Sequence, residues 1–535
     1  MKSIIRKTLY SGVLAGTLGL NACNSLDLNP IDNYGEGNYW KREEHISAYM
    51  DGLHKDLRDG IFQHLYILGE ARGGTSRQGT ALDGTSLNYG GLVAQVLNPQ
   101  NPGITKFGDL YGKIANINIF LQKTQEASYM EEKSKAYYLA QAYGLRAFYY
   151  FDLYRTYGTV PIRLNPNEVV NGNFNPEELY MARSSGSKVM RQIKEDLKES
   201  LRLFGDNTSF DPRNRGNKKS YWSKAATEYL AAEVYLWNAK VSADDNQADE
   251  SDLAIAQTHC EHLLNDYGLR LLNEYAHVFD TEHKGNEEII LACRYLEGEA
   301  SNHGGNYMYN YQTGSWKTTG FKDENGHPMG DTLQVRTSGM QRIEYRPEFF
   351  HAYEKGKDSR RDVNFLSAYH KETNEFLGTV FKKFMGHLNV STNTYVWDAD
   401  IVVYRLAGVY LMLAEIENMK GGDVARYLNP IRQRAYGQHW DQSAHAYING
   451  DFTQNELAVL AEKDKEMLGE GQRWFDVNRM TLTRNGTHLV FCQEGSKDNH
   501  TPLLNKENEM YKVFWPIETE MLNKDPKLVQ TTGYE

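Results

Sequence analysis

Cysteine is scarce in this chain of 535 residues, with four in all: Cys23, Cys260, Cys293 and Cys492. The last three are widely spaced and odd in number, so they predict neither a disulfide framework nor a cysteine-rich metal centre. The stretch "THCEHL" places His259 and His262 on one helix face. Zinc needs further ligands, and no spaced partner pair is present. We therefore predict an ordinary helix surface there, no metal site and no cofactor.

An excess of positive charge and long apolar runs are also missing. The chain has 59 Lys and Arg against 70 Asp and Glu, a formal net charge of −11. A protein that binds the phosphate backbone needs a basic face, so nucleic acid is not an expected partner. Beyond the N-terminal region no segment offers about 18 consecutive apolar residues, which excludes a membrane-spanning helix there.

The familiar catalytic motifs are absent as well. We find no Gly-x-Ser-x-Gly, no His-Glu-x-x-His and no phosphate-binding loop. The acidic run "SADDNQADESD" at 242–252 lacks the ligand spacing of an EF-hand, which indicates a solvated loop. A glycoside hydrolase needs only two carboxylates distant in sequence, so that class stays open on motifs alone.

The N-terminus has the pattern of a bacterial export signal. Lys2, Arg6 and Lys7 precede a short apolar stretch, and "LNAC" resembles the lipobox of lipoproteins. We predict a signal peptide over residues 1–22 and lipidation of Cys23. The alternative is a plain secretory signal in which Cys23 is incidental.

Apolar periodicity predicts a mainly α-helical chain. Residues 135–162 are apolar on nearly every side and must be buried between neighbours, and Gly158 with Pro161 gives a stop signal. Further predicted helices cover residues 107–124, 187–204, 221–240, 252–266, 401–419, 423–436 and 456–480. Paired helices of this length indicate a scaffold of the tetratricopeptide type.

Two long irregular segments, residues 69–103 and 297–338, interrupt the helices. Both are rich in Gly, Asn and Thr, and the second also in Tyr. Segments of this length without regular structure are usually functional or disordered, and the aromatic content of the second favours function.

The stretch "GEGQRWFDVNRM" raises the question of a catalytic acid and base. On one helix Glu470, Arg473, Asp476 and Arg479 would alternate in charge three residues apart. A flanking arginine opposes the raised pKa that a glycosidase acid needs. We therefore interpret the stretch as structural: Trp474 and Phe475 anchor it, and Gly471 permits close approach.

Several stretches resemble, in order, the SusD/RagB family of outer-membrane lipoproteins. They are "CNSLDLNP", "NYWKREE", "YGKIANINIFL", "GLRAFYYFDLYRTYGTVPI", "IVVYRLAGVYLMLAEI", "LNPIRQRAYG", "GEGQRWFDVNRM" and "KLVQTTGY". The resemblance implies a single domain over residues 23–535, with about four tetratricopeptide-like helix pairs and loops on one face. It also implies a lipid-anchored, non-enzymatic protein on the outer membrane of a Gram-negative cell, facing the exterior. The implied partners are a glycan and a SusC-like TonB-dependent transporter.

The predicted glycan site lies in the two irregular segments. Sugars need flat aromatic platforms and hydrogen-bonding neighbours. "NYMYNYQTGSW" supplies Tyr307, Tyr309, Tyr311 and Trp316; in an extended chain the three tyrosines share a face. The early segment adds Arg72, Asn88 and Tyr89, with Arg77 and Asp83 nearby.

Other ligands and roles remain open at this point. Two arginines beside Gly-rich backbone also suit an acidic sugar such as sialic acid. A RagB-like protein would bind peptides instead. The aromatic cluster has a purely structural alternative too, as a strand face packed on the scaffold.

Overall fold

The computed structural model describes residues 39–78, 90–100, 107–166, 176–210, 219–302, 320–330, 343–496 and 501–535. The predicted signal peptide and Cys23 lie outside them. In chain order the α-helices are α1 Glu43–Phe62, α2 Phe107–Glu126, α3 Glu132–Tyr157, α4 Gly186–Phe204, α5 Lys224–Lys240, α6 Asp252–Asn265, α7 Pro347–His351, α8 Arg360–Asn364, α9 Leu406–Lys420, α10 Ala425–Tyr436, α11 Gln442–His445, α12 Phe452–Glu466, α13 Arg473–Arg479 and α14 Thr519–Lys524. A π-helical turn, Gln63–Leu68, continues α1.

The long helices pack as sequential pairs: α1 with α2, α3 with α4, α5 with α6, and α9 with α10. Neighbouring pairs touch through α2 and α3, α4 and α5, and α6 and α9. This arrangement confirms the predicted mainly α, tetratricopeptide-like scaffold. Among the described residues no helix has both the length and the apolar character needed to cross a bilayer.

Helix α3 is the interior helix that its composition predicts. Every residue from 144 to 157 is buried. The helix ends at Gly158, which has a positive φ of 71° and donates its N–H to the Tyr154 carbonyl oxygen. The stop signal was therefore placed correctly.

Short antiparallel strands connect the helices. They are β1 Ser76–Gln78, β2 Ile289–Cys293, β3 Phe321–Lys322, β4 Ile343–Tyr345, β5 Phe365–His370, β6 Phe376–Phe381, β7 His387–Asn389, β8 Thr394–Val396 and β9 Ile401–Arg405. β1 pairs with β4, β2 with β9, β7 with β8, and β3, β5 and β6 form a three-stranded sheet.

The predicted helix over residues 401–419 is wrong in its first turn. Residues 401–405, "IVVYR", form strand β9 against β2, and α9 starts at Leu406. β-branched residues favour strands, and a continuous apolar run does not reveal where a strand gives way to a helix.

The predicted helix over residues 456–480 is also wrong, because it is two helices. α12 begins earlier, at a capping box of Asp451 and Gln454, and ends at Glu466. Gly469 and Gly471 both have a φ of 78°, a left-handed conformation that interrupts the helix before α13. The helical ladder that was predicted from Glu470 to Arg479 therefore exists only from Arg473 onward.

Candidate functional site

The structure describes one of the predicted ligand-binding residues, Arg72. The others lie outside the described residues: Asn88, Tyr89, Tyr307, Tyr309, Tyr311 and Trp316. The described residues form the scaffold that flanks their segments.

Arg72 is a buried residue, with no exposed surface. Its guanidinium carbon lies 4.0 Å from the centre of the Trp474 ring, and its Nε donates to Gln95 Oε1 at 2.6 Å. Its Nη2 donates to the Lys512 carbonyl oxygen. Burial lowers the pKa of Arg72 to about 10. This position does not fit the predicted contact with a ligand. Within the early segment residues 69–76 are buried, whereas Arg77 and Gln78 are exposed and residues 90–100 include exposed positions.

Residues 69–76 of the early segment are buried where they pack against the "GEGQRW" stretch. Trp474 donates its N–H to the Gly69 carbonyl oxygen at 2.8 Å. A Cβ atom on Gly69 would lie 2.1 Å from the Gly471 carbonyl oxygen, and one on Gly471 would lie 2.7 Å from Leu65 Cα. Only glycine permits this approach, so the role predicted for Gly471 is confirmed.

The described residues next to segments 79–89 and 331–342 lie side by side. In the antiparallel pair of β1 and β4, Gln78 lies opposite Ile343, so both segments begin or end at the same end of this small sheet. Gly90 returns to the same place, since a Cβ atom there would come within 2.5 Å of Gln78 Oε1.

Arg77 stands at this point with a partner that the sequence did not reveal. Its Nε and Nη2 donate to Glu344 Oε2 and Oε1 at 3.1 and 3.0 Å across the two strands. Strand register, which brings residues 77 and 344 together, was not predictable from the sequence alone.

The segment that carries the tyrosines leaves from a fixed residue. Asn302 is buried; its Nδ2 donates to the carbonyl oxygens of Phe384 and Ala399 at 3.0 and 2.9 Å. On the other side of the segment, β3 pairs with β5. The ends of segment 303–319 are therefore tied to the β3–β5–β6 region.

Glu470 belongs to a buried cluster of charges rather than to a cleft. Arg405 bonds both of its carboxylate oxygens, and Lys383 Nζ lies 2.5 Å from Oε1. Burial lowers the pKa of Lys383 to about 8. Burial opposes ionisation of Glu466, but Arg434, Arg405 and Arg360 outweigh it and hold the pKa of that carboxyl well below its usual range.

Asp476 lies in a second buried cluster. Its Oδ1 accepts from Lys463 Nζ at 2.6 Å and from Arg479 Nη2 at 2.7 Å, and Arg479 also bonds both oxygens of Glu415. Asp476 and Glu470 are both buried and paired with cations. The structural interpretation of this stretch is confirmed, and the two do not form an acid and base facing a substrate.

Two groups of side chains among the described residues have donor atoms close enough to hold a metal ion. One joins Glu228 with His259 and His262, and the other joins His277, Asp280 and His283. Cys260 is buried. Glu228 was not predicted as a member of this group, because it lies on another helix, 31 residues before His259.

Comparison with known proteins identifies the family. Residues 359–534 match the model described as the SusD family, and residues 76–236 match one described as starch-binding associating with outer membrane. A SusD superfamily protein from Bacteroides fragilis is 46% identical, covers 93% of this chain and 100% of its own, and superposes with a TM-score of 0.86. The chain belongs to the SusD family.

Other SusD relatives match over nearly the whole chain. NanU from B. fragilis is 28% identical with a TM-score of 0.79, over 95% of this chain and 100% of its own. The starch-binding protein SusD of Bacteroides thetaiotaomicron is 22% identical, with 100% of both chains covered. The family resemblance read from the sequence is confirmed.

Proposed function

We propose that this SusD family member is a lipid-anchored protein of the outer membrane that binds glycans and delivers them to a SusC-like TonB-dependent transporter. The match of residues 76–236 to the model described as starch-binding associating with outer membrane carries the proposal. The similarity to a starch-binding protein over the whole chain supports it.

The binding surface is formed by segments 79–89 and 303–319. Tyr307, Tyr309, Tyr311 and Trp316 supply aromatic faces for the C–H surfaces of sugars, and Asn88 and Tyr89 add hydrogen-bonding groups. The described scaffold supports this assignment because Asn302, Gln78 and β3 give these segments fixed points of departure.

A neutral glycan suits the described charges better than an acidic sugar. Of the two arginines that would meet a carboxylate, Arg72 is buried, and Arg77 already holds Glu344 at two points. A sialic acid would compete with Glu344 for that guanidinium. Acidic glycans therefore form the comparison in a binding screen.

The protein acts by binding without turnover. The two carboxylates of "GEGQRWFDVNRM", Glu470 and Asp476, are paired with buried cations. The raised pKa of Glu70, about 8, comes from burial; its side chain is enclosed and accepts hydrogen bonds from the Gly469 N–H and the Thr75 hydroxyl. A general acid must reach the glycosidic oxygen, and Glu70 is only 1% exposed.

A binding screen over neutral glycans, acidic glycans and oligopeptides tests the ligand class, with sugar release measured in parallel. We expect binding to neutral oligosaccharides whose chain length stays unchanged. Binding to peptides alone would assign the RagB-like function, and release of sugar would make the protein a glycoside hydrolase.

Purification from outer membranes with a SusC-like transporter, identified by mass spectrometry, tests the partnership separately.

A further inference from the structure

Helices α5 and α6 meet at a cluster of two imidazoles and one carboxylate. His259 and His262 are three residues apart on α6 and so share a face. Their Nδ1 atoms are directed at different oxygens of Glu228 on α5: His259 contacts Oε2, and His262 lies 3.3 Å from Oε1.

Among the residues that the structure describes, no lysine or arginine forms an ion pair with the Glu228 carboxylate. Its side chain is 4% exposed, and among the described residues its ion pairs are with these two histidines alone. Glu415 and Glu466, which are equally buried, are each held by arginine. A buried carboxylate is costly unless a positive charge lies beside it, and a metal ion between the carboxylate and the imidazoles would supply that charge.

The donor set matches a transition metal rather than calcium or magnesium. One donor atom from each residue lies within 4.8 Å of the others. Imidazole nitrogens with a carboxylate are typical ligands of Zn²⁺ and its neighbours, whereas Ca²⁺ and Mg²⁺ take oxygen.

The surroundings suit such a site. The His262 side chain is 45% exposed, which gives an ion access and leaves room for water as a further ligand. The His259 ring is stacked on Tyr235 with its centre 5.8 Å away. The neighbouring Cys260 is buried, so thiolate coordination is not expected.

We propose that Glu228, His259 and His262 bind one divalent transition-metal ion, with Zn²⁺ as the reference probe, and that the ion links α5 to α6. This site is independent of the proposed glycan function. It departs from the prediction of an ordinary helix surface, because the third ligand would come from the neighbouring helix.

The second cluster provides a matched control. His277, Asp280 and His283 lie within seven residues of one another, and all three side chains are 35–43% exposed. The His283 side chain is 43% exposed and that of His262 is 45% exposed, so His283→Asn and His262→Asn each remove a histidine of similar exposure. Both variants are expected to fold, since neither side chain is buried.

The test is titration of the purified protein with Zn²⁺ against a chromogenic chelator, repeated for His259→Asn, His262→Asn and His283→Asn. We expect one tight site in the wild type and in His283→Asn, and affinity weaker by about tenfold or more in the other two. Co²⁺ substitution is expected to give visible d–d bands without a thiolate charge-transfer band. Zn²⁺ is also expected to raise the Tm of the wild type but not that of His262→Asn.

The proposal is overturned if the wild type binds no Zn²⁺ or if His262→Asn and His259→Asn bind it as well as the wild type. Loss of the tight site in His283→Asn alone would assign the metal to the other cluster. Failure of glycan binding leaves this result unaffected.

Discussion

Arg405 and Glu470 form a two-point ion pair in the interior, with Nε donating to Oε2 at 2.6 Å and Nη2 to Oε1 at 2.7 Å. The same guanidinium also bonds Glu288 and Glu466 through Nη1. Arg405, the last residue of β9, thus joins Glu288 before β2, Glu466 at the end of α12 and Glu470 of the "GEGQRW" stretch. Glu470, a charged residue of "GEGQRW", therefore helps to hold the scaffold together through Arg405.

Removal of this arginine is expected to destabilise the fold strongly. Arg405→Ala leaves buried carboxylates short of a cation, which costs about 3–5 kcal/mol of the free energy of unfolding. Arg270→Ala is the control, because Arg270 forms an exposed pair with Glu287 and should change stability by about 0–1 kcal/mol. Denaturant unfolding measures both. Equal unfolding midpoints for the two variants would refute a stabilising role for the cluster.

The contact between Gly471 and Leu65 makes a second prediction. Gly471 and Gly421 both have a positive φ, 78° and 70°, so alanine at either costs about 1–2 kcal/mol of backbone strain. Only Gly471 is crowded, since nothing lies within 4 Å of a Cβ atom on Gly421. Gly471→Ala should therefore be less stable than Gly421→Ala by about 1–3 kcal/mol. Thermal or chemical unfolding of the two variants measures this difference. Equal losses of unfolding free energy would mean that the close approach of Gly471 to Leu65 does not restrict the residue at position 471.

A buried histidine predicts a pH dependence. His54 Nδ1 donates to the Met50 carbonyl oxygen at 2.9 Å, and Nε2 accepts the Trp222 N–H at 2.8 Å. Burial lowers the pKa of His54 to about 4. Below about pH 6.5, the ordinary pKa of histidine, His54 takes up a proton in the unfolded chain but not in the folded protein. The free energy of unfolding therefore falls as the pH falls, by up to about 1.4 kcal/mol per pH unit.

The matched variant for this effect is His54→Asn, which does not titrate. The wild type should be more stable than the variant at pH 7, and the difference in unfolding free energy should shrink between about pH 6.5 and 4. If the difference in unfolding free energy stays constant over this range, burial does not lower the pKa of His54.

Lipidation at Cys23 is tested by Cys23→Ser. Without the thiol no lipid can be attached, and we expect loss of palmitate labelling and release from the membrane fraction. Cys492→Ser is the control, because that thiol lies near the end of the chain and should leave labelling unchanged. Membrane retention and labelling of Cys23→Ser would point to another anchor.

The sequence predicted the long helices well and the connections poorly. The interior helix α3 and its end at Gly158 follow from composition and a single glycine. The start of α9 does not, because "IVVYR" and the helix after it form one apolar run, and only pairing with β2 separates them.

The site was less predictable for a related reason. Arg72 stands among glycines, which is typical of a surface loop, yet those glycines permit burial against Gly471 and Trp474. Glu344 and Glu228 acquire their partners through strand register and helix packing, and neither is visible in local sequence. The binding role of Tyr307, Tyr309, Tyr311 and Trp316 is inferred from composition and from the family resemblance, and it stays a prediction.

The most direct test of the account is the affinity of Trp316→Ala and Tyr309→Ala for the neutral oligosaccharide found in the screen, measured by calorimetry. Tyr129→Ala is the control, a tyrosine 42% exposed in the turn between α2 and α3. We expect Kd to rise by about tenfold or more in Trp316→Ala and Tyr309→Ala, since a stacked aromatic contributes more than about 1.4 kcal/mol, and to stay unchanged in Tyr129→Ala. Wild-type affinity in both Trp316→Ala and Tyr309→Ala would contradict it.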